Sequence, residues 1–108
     1  MFEKDVKIGF LLDFYGELLS GRKREVLDLY YNSDLSLGEI SGELGITRQA
    51  VRDLITRAGA ELEKYEEKLG YARKFMTISK AAEEAAALAA GNSELIARLE
   101  LIQSTIKD

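Results

Sequence analysis

The 108-residue sequence contains no cysteine, no histidine and no proline. Without thiols or imidazoles it has no disulfide, no thiolate or imidazole base or nucleophile, and none of the usual zinc ligand sets. Without proline, no helix is broken by a ring that lacks an N–H. Together with few β-branched runs, this predicts an all-helical chain with short connections. No apolar run approaches membrane-spanning length, and the opening segment MFEKDVK lacks the apolar core of a signal peptide. The segment GEISGELG lacks the lysine and hydroxyl residue of a phosphate-binding loop, and no metal-binding loop occurs. Carboxylates are scattered along polar helix faces rather than paired in an apolar setting. No enzymatic site, metal site or cofactor is therefore expected. The formal charge of -4 excludes a broadly basic surface. It leaves room for a local basic patch whose nucleic-acid affinity falls quickly with salt.

What is present centres on residues 35–56, LSLGEISGELGITRQAVRDLIT. Two short helices joined by a tight turn fit this stretch, the arrangement that lays a second helix in the DNA major groove. Ser41 falls where the two helices approach, and Gly45 falls in the turn, where a residue without a Cβ adopts positive φ. Ile40, Leu44, Ile46, Val51 and Leu54 share one inner face. Ser36 and Glu39 form the capping-box pattern S-L-G-E, and Thr47 is placed to cap the second helix. Outward positions on that helix are Arg48, Gln49, Arg52, Asp53 and Thr56. Guanidinium and amide groups are the side chains that read guanine and adenine edges. Arg48, Gln49 and Arg52 are the candidate base readers. The plainer alternative is a packed helix pair with solvated arginines.

Before this unit, residues 4–19 carry Val6, Phe10, Phe14 and Leu18 at helical spacing, widened by Ile8, Leu11, Leu12, Tyr15 and Leu19. That is enough apolar surface for two contacts, one with the central unit and one with a second chain, unless the monomer buries it all. A second helix is expected over 22–31, with Val26, Leu27, Leu29 and Tyr30 inward. Arg22, Lys23 and Arg24 crowd its first turn, against the helix dipole. They are candidate DNA-backbone contacts together with Thr47. The alternative is a solvated basic turn beside Glu25 and Asp28.

After Arg48 the apolar positions Val51, Ile55, Ala58, Leu62, Tyr65, Leu69, Ala72 and Met76 alternate four and three, which is heptad spacing. This predicts a long extended recognition helix packed against something apolar. Arg57 with Glu61, and Glu61 with Lys64, are spaced to attract along it. Gly59 and Gly70 weaken it, Gly59 as a point of close approach and Gly70 as a bend or an early end. Phe10, Phe14, Leu62, Tyr65 and Leu69 are the candidate dimerisation residues. Residues 79–90 are alanine-rich, Gly91 and Asn92 break the pattern, and Ser93 is placed to cap a last helix with Leu95, Leu99, Ile102 and Ile106 on one face. Two regions follow: a helix-turn-helix domain over 1–76, and a helical hairpin or dimerisation segment over 77–108, with a partly disordered tail as the alternative that the low bulk of the alanine tract favours.

Phe14-Tyr15, Leu29-Tyr30-Tyr31, residues 36–40, Arg48-Gln49-Ala50-Val51 and Tyr65-Glu66-Glu67-Lys68-Leu69 carry a resemblance. Up to about residue 69 the chain resembles the YlxM family of small bacterial helix-turn-helix proteins. Its central part is similar to the promoter-recognising final region of sigma factors. The resemblance implies an all-α, sigma-factor-like fold in a cytoplasmic homodimer linked to the signal recognition particle pathway, with regulatory DNA binding. The lack of a membrane-spanning run predicts no membrane insertion. Asp53 departs from what a phosphate-facing surface wants, since a carboxylate there repels the backbone unless it accepts from cytosine N4. A non-enzymatic adaptor that binds RNA or protein of the targeting machinery is the alternative expectation.

Overall fold

The computed structural model describes residues 4–107, and all regular structure among them is helical. The first three residues of the MFEKDVK segment, and Asp108 at the end of the second expected region, lie outside the described residues. Six α-helices follow in order: α1 (Val6–Tyr15), α2 (Gly21–Leu27), α3 (Leu37–Leu44), α4 (Arg48–Leu69), α5 (Tyr71–Leu88) and α6 (Ser93–Lys107). They form two compact units, one through Gly70 and one from Tyr71.

In the first unit α4 is the spine. Val51, Ala58 and Leu62 are wholly buried along it and Ile55 nearly so. The heptad spacing has an intramolecular use: α1, α2 and α3 of the same chain all pack on α4. From α1 come Ile8, Leu11, Leu12 and Tyr15, and Leu19 follows them. Val26 and Leu27 come from α2, Tyr30 from the turn after it, and Ile40 from α3. The first expected helix is shorter than its apolar stripe, because Gly16–Leu18 tightens into a 3-10 turn. The expected helix over 22–31 ends in a π-helical turn at Asp28–Asn32. There Asn32 donates to Asp28 at 2.9 Å.

Gly59 does not serve the close approach expected of it. A Cβ there would meet Ile8 at 3.5 Å, ordinary van der Waals contact. Gly70 does end the long helix: its φ of 65° is left-handed, and its N–H donates to the Glu66 carbonyl at 2.8 Å. Such a residue has to leave the helical path, and glycine does so without a Cβ penalty. Hence α4 stops at Leu69, and Ala72 and Met76 belong to a new helix although they continue the heptad spacing.

In the second unit α5 and α6 form a hairpin. Its alanine tract is part of the long α5. The cap of α6 is Asn92, not the expected Ser93: the Asn92 side chain accepts from Leu95 N–H at 3.1 Å, while Ser93 is already the first helical residue. No residue of α6 is buried. Beside Ile78, Ala82, Ala85, Leu99 and Ile102 lies an apolar groove of about 320 Å³. Among the described residues no helix is long and apolar enough to cross a membrane, and no group of His, Cys, Asp and Glu is clustered to hold a metal ion.

Candidate nucleic-acid interface

Local chemistry fixes the angle between α3 and α4. Ser36 accepts from Glu39 N–H at 3.1 Å while the Glu39 carboxylate accepts from Ser36 N–H at 3.0 Å, so the capping box is complete in both directions. At the other end of α3, Gly45 sits at φ 69°. The Ser41 carbonyl accepts from both Gly45 and Ile46 N–H, at 3.0 and 3.2 Å. The Ser41 hydroxyl then donates to the Ile46 carbonyl. Ser41 is therefore small for packing and also hydrogen-bonded into the turn, a role its spacing did not reveal. Thr47 accepts from Ala50 N–H at 3.0 Å and starts α4 as expected.

Behind that start Val51 is wholly buried, so the helix cannot rotate without losing the core. The opposite face carries Arg48, Gln49, Arg52, Asp53 and Thr56, all exposed. Arg48, Gln49 and Asp53 all meet local partners. The Arg48 guanidinium lies over Gly38 in the first turn of α3, where a Cβ would come within 2.7 Å of Nη2. The Gln49 amide donates from Nε2 to Asp53 Oδ1 at 3.1 Å. The i,i+4 spacing of Gln49 and Asp53 was legible in the sequence. The Arg48–Gly38 contact was not, because it depends on how the turn brings α3 back across α4.

The basic turn of α2 is arranged differently. Arg22 pairs with Glu25 at 3.4 Å, Lys23 with Glu61 at 3.0 Å, and Arg24 with Asp28 at 3.9 Å. The Arg22 and Arg24 pairs are exposed and weak. The half-buried Lys23 ties α2 to α4 and so serves the fold. Glu61 also accepts from the Tyr65 hydroxyl at 2.9 Å, so that each of its oxygens carries a hydrogen bond. The Lys23 ammonium, and after it the Tyr65 hydroxyl, hold the Glu61 carboxyl below the ordinary carboxylate range, and the bond to Glu61 pushes the Tyr65 phenol up. From Arg48 to Glu61 α4 rises roughly 20 Å at about 1.5 Å per residue. The two basic groups therefore sit at different reaches of the same helix.

A family model described as "Putative helix-turn-helix protein, YlxM / p13 like" (UPF0122) matches residues 2–102. The chain belongs to the UPF0122 family. A UPF0122 protein of Acetivibrio thermocellus is 53% identical over 74 residues, covering 68% of this chain and 63% of that protein. One from Desulforamulus reducens is 51% identical over 74 residues with the same coverage. The chain thus spans 63% of the length of these two relatives. A UPF0122 protein of Halalkalibacterium halodurans is 42% identical over 107 residues, 96% of this chain and 98% of that protein. In this chain α3, the turn at Gly45 and α4 form a helix-turn-helix.

Of the candidate dimerisation residues, Leu62 shares no exposed face with the others. Phe10 and Phe14 stack edge to face at 5.0 Å and are half-exposed on α1. Val6 and Leu18, exposed at 83% and 53%, extend their row. Tyr65 is half-buried 6.1 Å from the Tyr15 ring, and Leu69 is exposed at the end of α4. Leu62 has no exposed surface, because α4 turns it into the core of its own chain. The buried Tyr15 donates to Glu66 at 2.6 Å, a polar tie between α1 and α4 that no sequence spacing signals.

Proposed function

We propose that this UPF0122 chain is a homodimeric helix-turn-helix regulator that reads duplex DNA through the start of α4. The observation that carries the reading is a capped helix start with Arg48, Gln49 and Arg52 all exposed on one face, opposite a wholly buried Val51. Guanidinium and amide groups so placed match purine edges in the major groove. Arg22, Arg24 and the Thr47 segment supply backbone contacts, for which Arg22 and Arg24 exchange weak carboxylate partners for phosphates. Lys23 contributes less, because phosphate contact would break its tie to Glu61. The half-exposed Phe10–Phe14 row and the apolar groove of the hairpin support association of two copies. The regulator works in the cytoplasm, in connection with the signal recognition particle pathway.

A second reading, an adaptor for RNA or protein of the targeting machinery, is favoured in its protein-binding form by two observations. All three cations of the α2 turn face carboxylates, and the net charge is -4, a surface poorly suited to long-range attraction of DNA.

Fluorescence anisotropy with duplexes from the upstream region of the chain's own operon and with random duplexes, at low and moderate salt, separates the two. The regulator predicts sequence-preferring binding that falls steeply with salt and drops at least about tenfold in Arg48→Ala/Arg52→Ala. Binding to the particle's RNA or protein alone, with the duplexes ignored, supports the adaptor.

A further inference from the structure

We infer that Asp53 is a positioning residue that locks the Gln49 amide for adenine and thereby sets one base preference of the reading face. The inference rests on the DNA reading proposed above. Taken alone, Asp53 looks like a liability, a carboxylate on a surface that meets phosphates. Its partner changes that view. Gln49 Nε2 donates to Asp53 Oδ1 at 3.1 Å, one helical turn along α4. An ionised carboxylate only accepts hydrogen bonds, so it selects the amino end of the amide; the flipped amide would set its carbonyl oxygen against the carboxylate.

The consequence falls on the groups left over. One Nε2 proton is used, which leaves the amide one donor, the second proton, and one acceptor, Oε1. Adenine presents the complement in the major groove, the N7 acceptor beside the N6 amino donor. Guanine presents two acceptors there, N7 and O6, so a locked amide meets one of them with its own oxygen. A free glutamine can turn both amino protons towards guanine's two acceptors, and the carboxylate holds one of those protons back. Asp53 therefore weakens binding to every duplex by phosphate repulsion while sharpening the choice between the two purines.

The test is selection of the full chain against a random-sequence duplex library at low salt, followed by affinities on matched adenine and guanine duplexes. Wild type is expected to prefer adenine at one position by at least about tenfold. Gln49→Ala loses that preference and keeps the rest of the motif. Asp53→Asn offers the amide both a carbonyl and an amino group, and it removes a negative charge. It should bind all duplexes more tightly while the adenine-to-guanine ratio at that position falls towards parity. Asp53→Glu keeps an acceptor-only partner and keeps the preference, which a merely structural role would not separate from Asp53→Asn. Thermal unfolding of each variant checks that these exposed changes leave the fold intact. An adenine preference unchanged in Asp53→Asn overturns the inference and leaves DNA reading standing, as does a motif unchanged in Gln49→Ala. A library from which wild type enriches no duplex overturns both.

Discussion

The two units of the chain treat their apolar residues in opposite ways. Up to Gly70, Leu11, Tyr15, Leu27, Ile40 and Leu62 are almost wholly buried, because α1, α2 and α3 cover α4 from several sides. Among the described residues from Tyr71 onward, the buried apolar ones are Ala72, Ala82 and Ala89, while Ile78, Leu88, Leu101 and Ile102 are exposed. Two helices give each other one face, and an alanine-rich face contributes little area. A core needs bulky side chains arriving from more than two elements, and only the first unit has them. The largest expected effect follows: Leu62→Ala should destabilise by about 2 to 5 kcal/mol, through lost transfer energy and a cavity. Leu88→Ala, at a residue exposed at 90%, should leave stability nearly unchanged. Urea denaturation of both variants reads the contrast directly. Equal losses would mean that the hairpin is as well packed as the first unit.

The same contrast predicts where a second copy acts. Ile78→Asp with Ile102→Asp places two charges at the apolar groove of the hairpin. In the homodimer proposed above, this pair should weaken association by at least about tenfold, each desolvated charge costing well over 1 kcal/mol. Sedimentation equilibrium measures it. Association that persists would move the contact to the Phe10–Phe14 row.

What could be read from the sequence, and what could not, divides by distance along the chain. The Ser36–Glu39 box, the left-handed Gly45, the Thr47 cap and the outward set on α4 each depend on residues within one or two turns, and spacing alone places them. The heptad stripe was legible too, but its partner was not. Periodicity says that a face is buried, not whether the cover comes from the same chain. Leu62 was therefore expected at a dimer contact and lies in the core. The pairing of Lys23 with Glu61, and of Tyr15 with Glu66, links positions far apart in sequence, and only the folded packing of α1 and α2 on α4 creates it. At Gly70 two local signals conflicted, heptad continuity and the helix-ending glycine, and the backbone follows the glycine.

The polar ties of the first unit are a smaller lever than its apolar core. Glu61→Gln removes the charge that holds Lys23 and should cost about 1 kcal/mol or less at neutral pH. The pH dependence identifies the source. Because Lys23 and Tyr65 depress the Glu61 carboxyl in the folded chain, its contribution is complete above the ordinary glutamate value and is lost as pH falls through the depressed one. Tyr65 is raised, so its share is complete below the ordinary tyrosine value and is lost only as pH rises through the raised one. The stability difference between wild type and Glu61→Gln should stay level between those limits and shrink at the acid end. Chemical denaturation of the pair across pH measures it, and a difference that grows on acidification would contradict the assignment.

The smallest effect on stability is expected where the reading face meets α3. Gly38 is the second residue of α3, and a Cβ there would sit 2.7 Å from Arg48 Nη2 and 3.1 Å from Cζ. Those atoms are the far end of an exposed, flexible side chain, so Arg48 can give way where backbone could not. Alanine is also favoured over glycine within a helix, by up to about 1 kcal/mol and less near its start. Gly38→Ala should therefore stabilise by roughly 0.5 kcal/mol, with the guanidinium displaced from α3. In the DNA reading that displacement frees Arg48 for a base edge, and duplex affinity should rise about twofold, a few tenths of a kcal/mol. Denaturation and anisotropy on the same variant separate the two effects. A loss of stability would show instead that the guanidinium over Gly38 holds α3 to α4, making Arg48 a part of the fold before it is a reader.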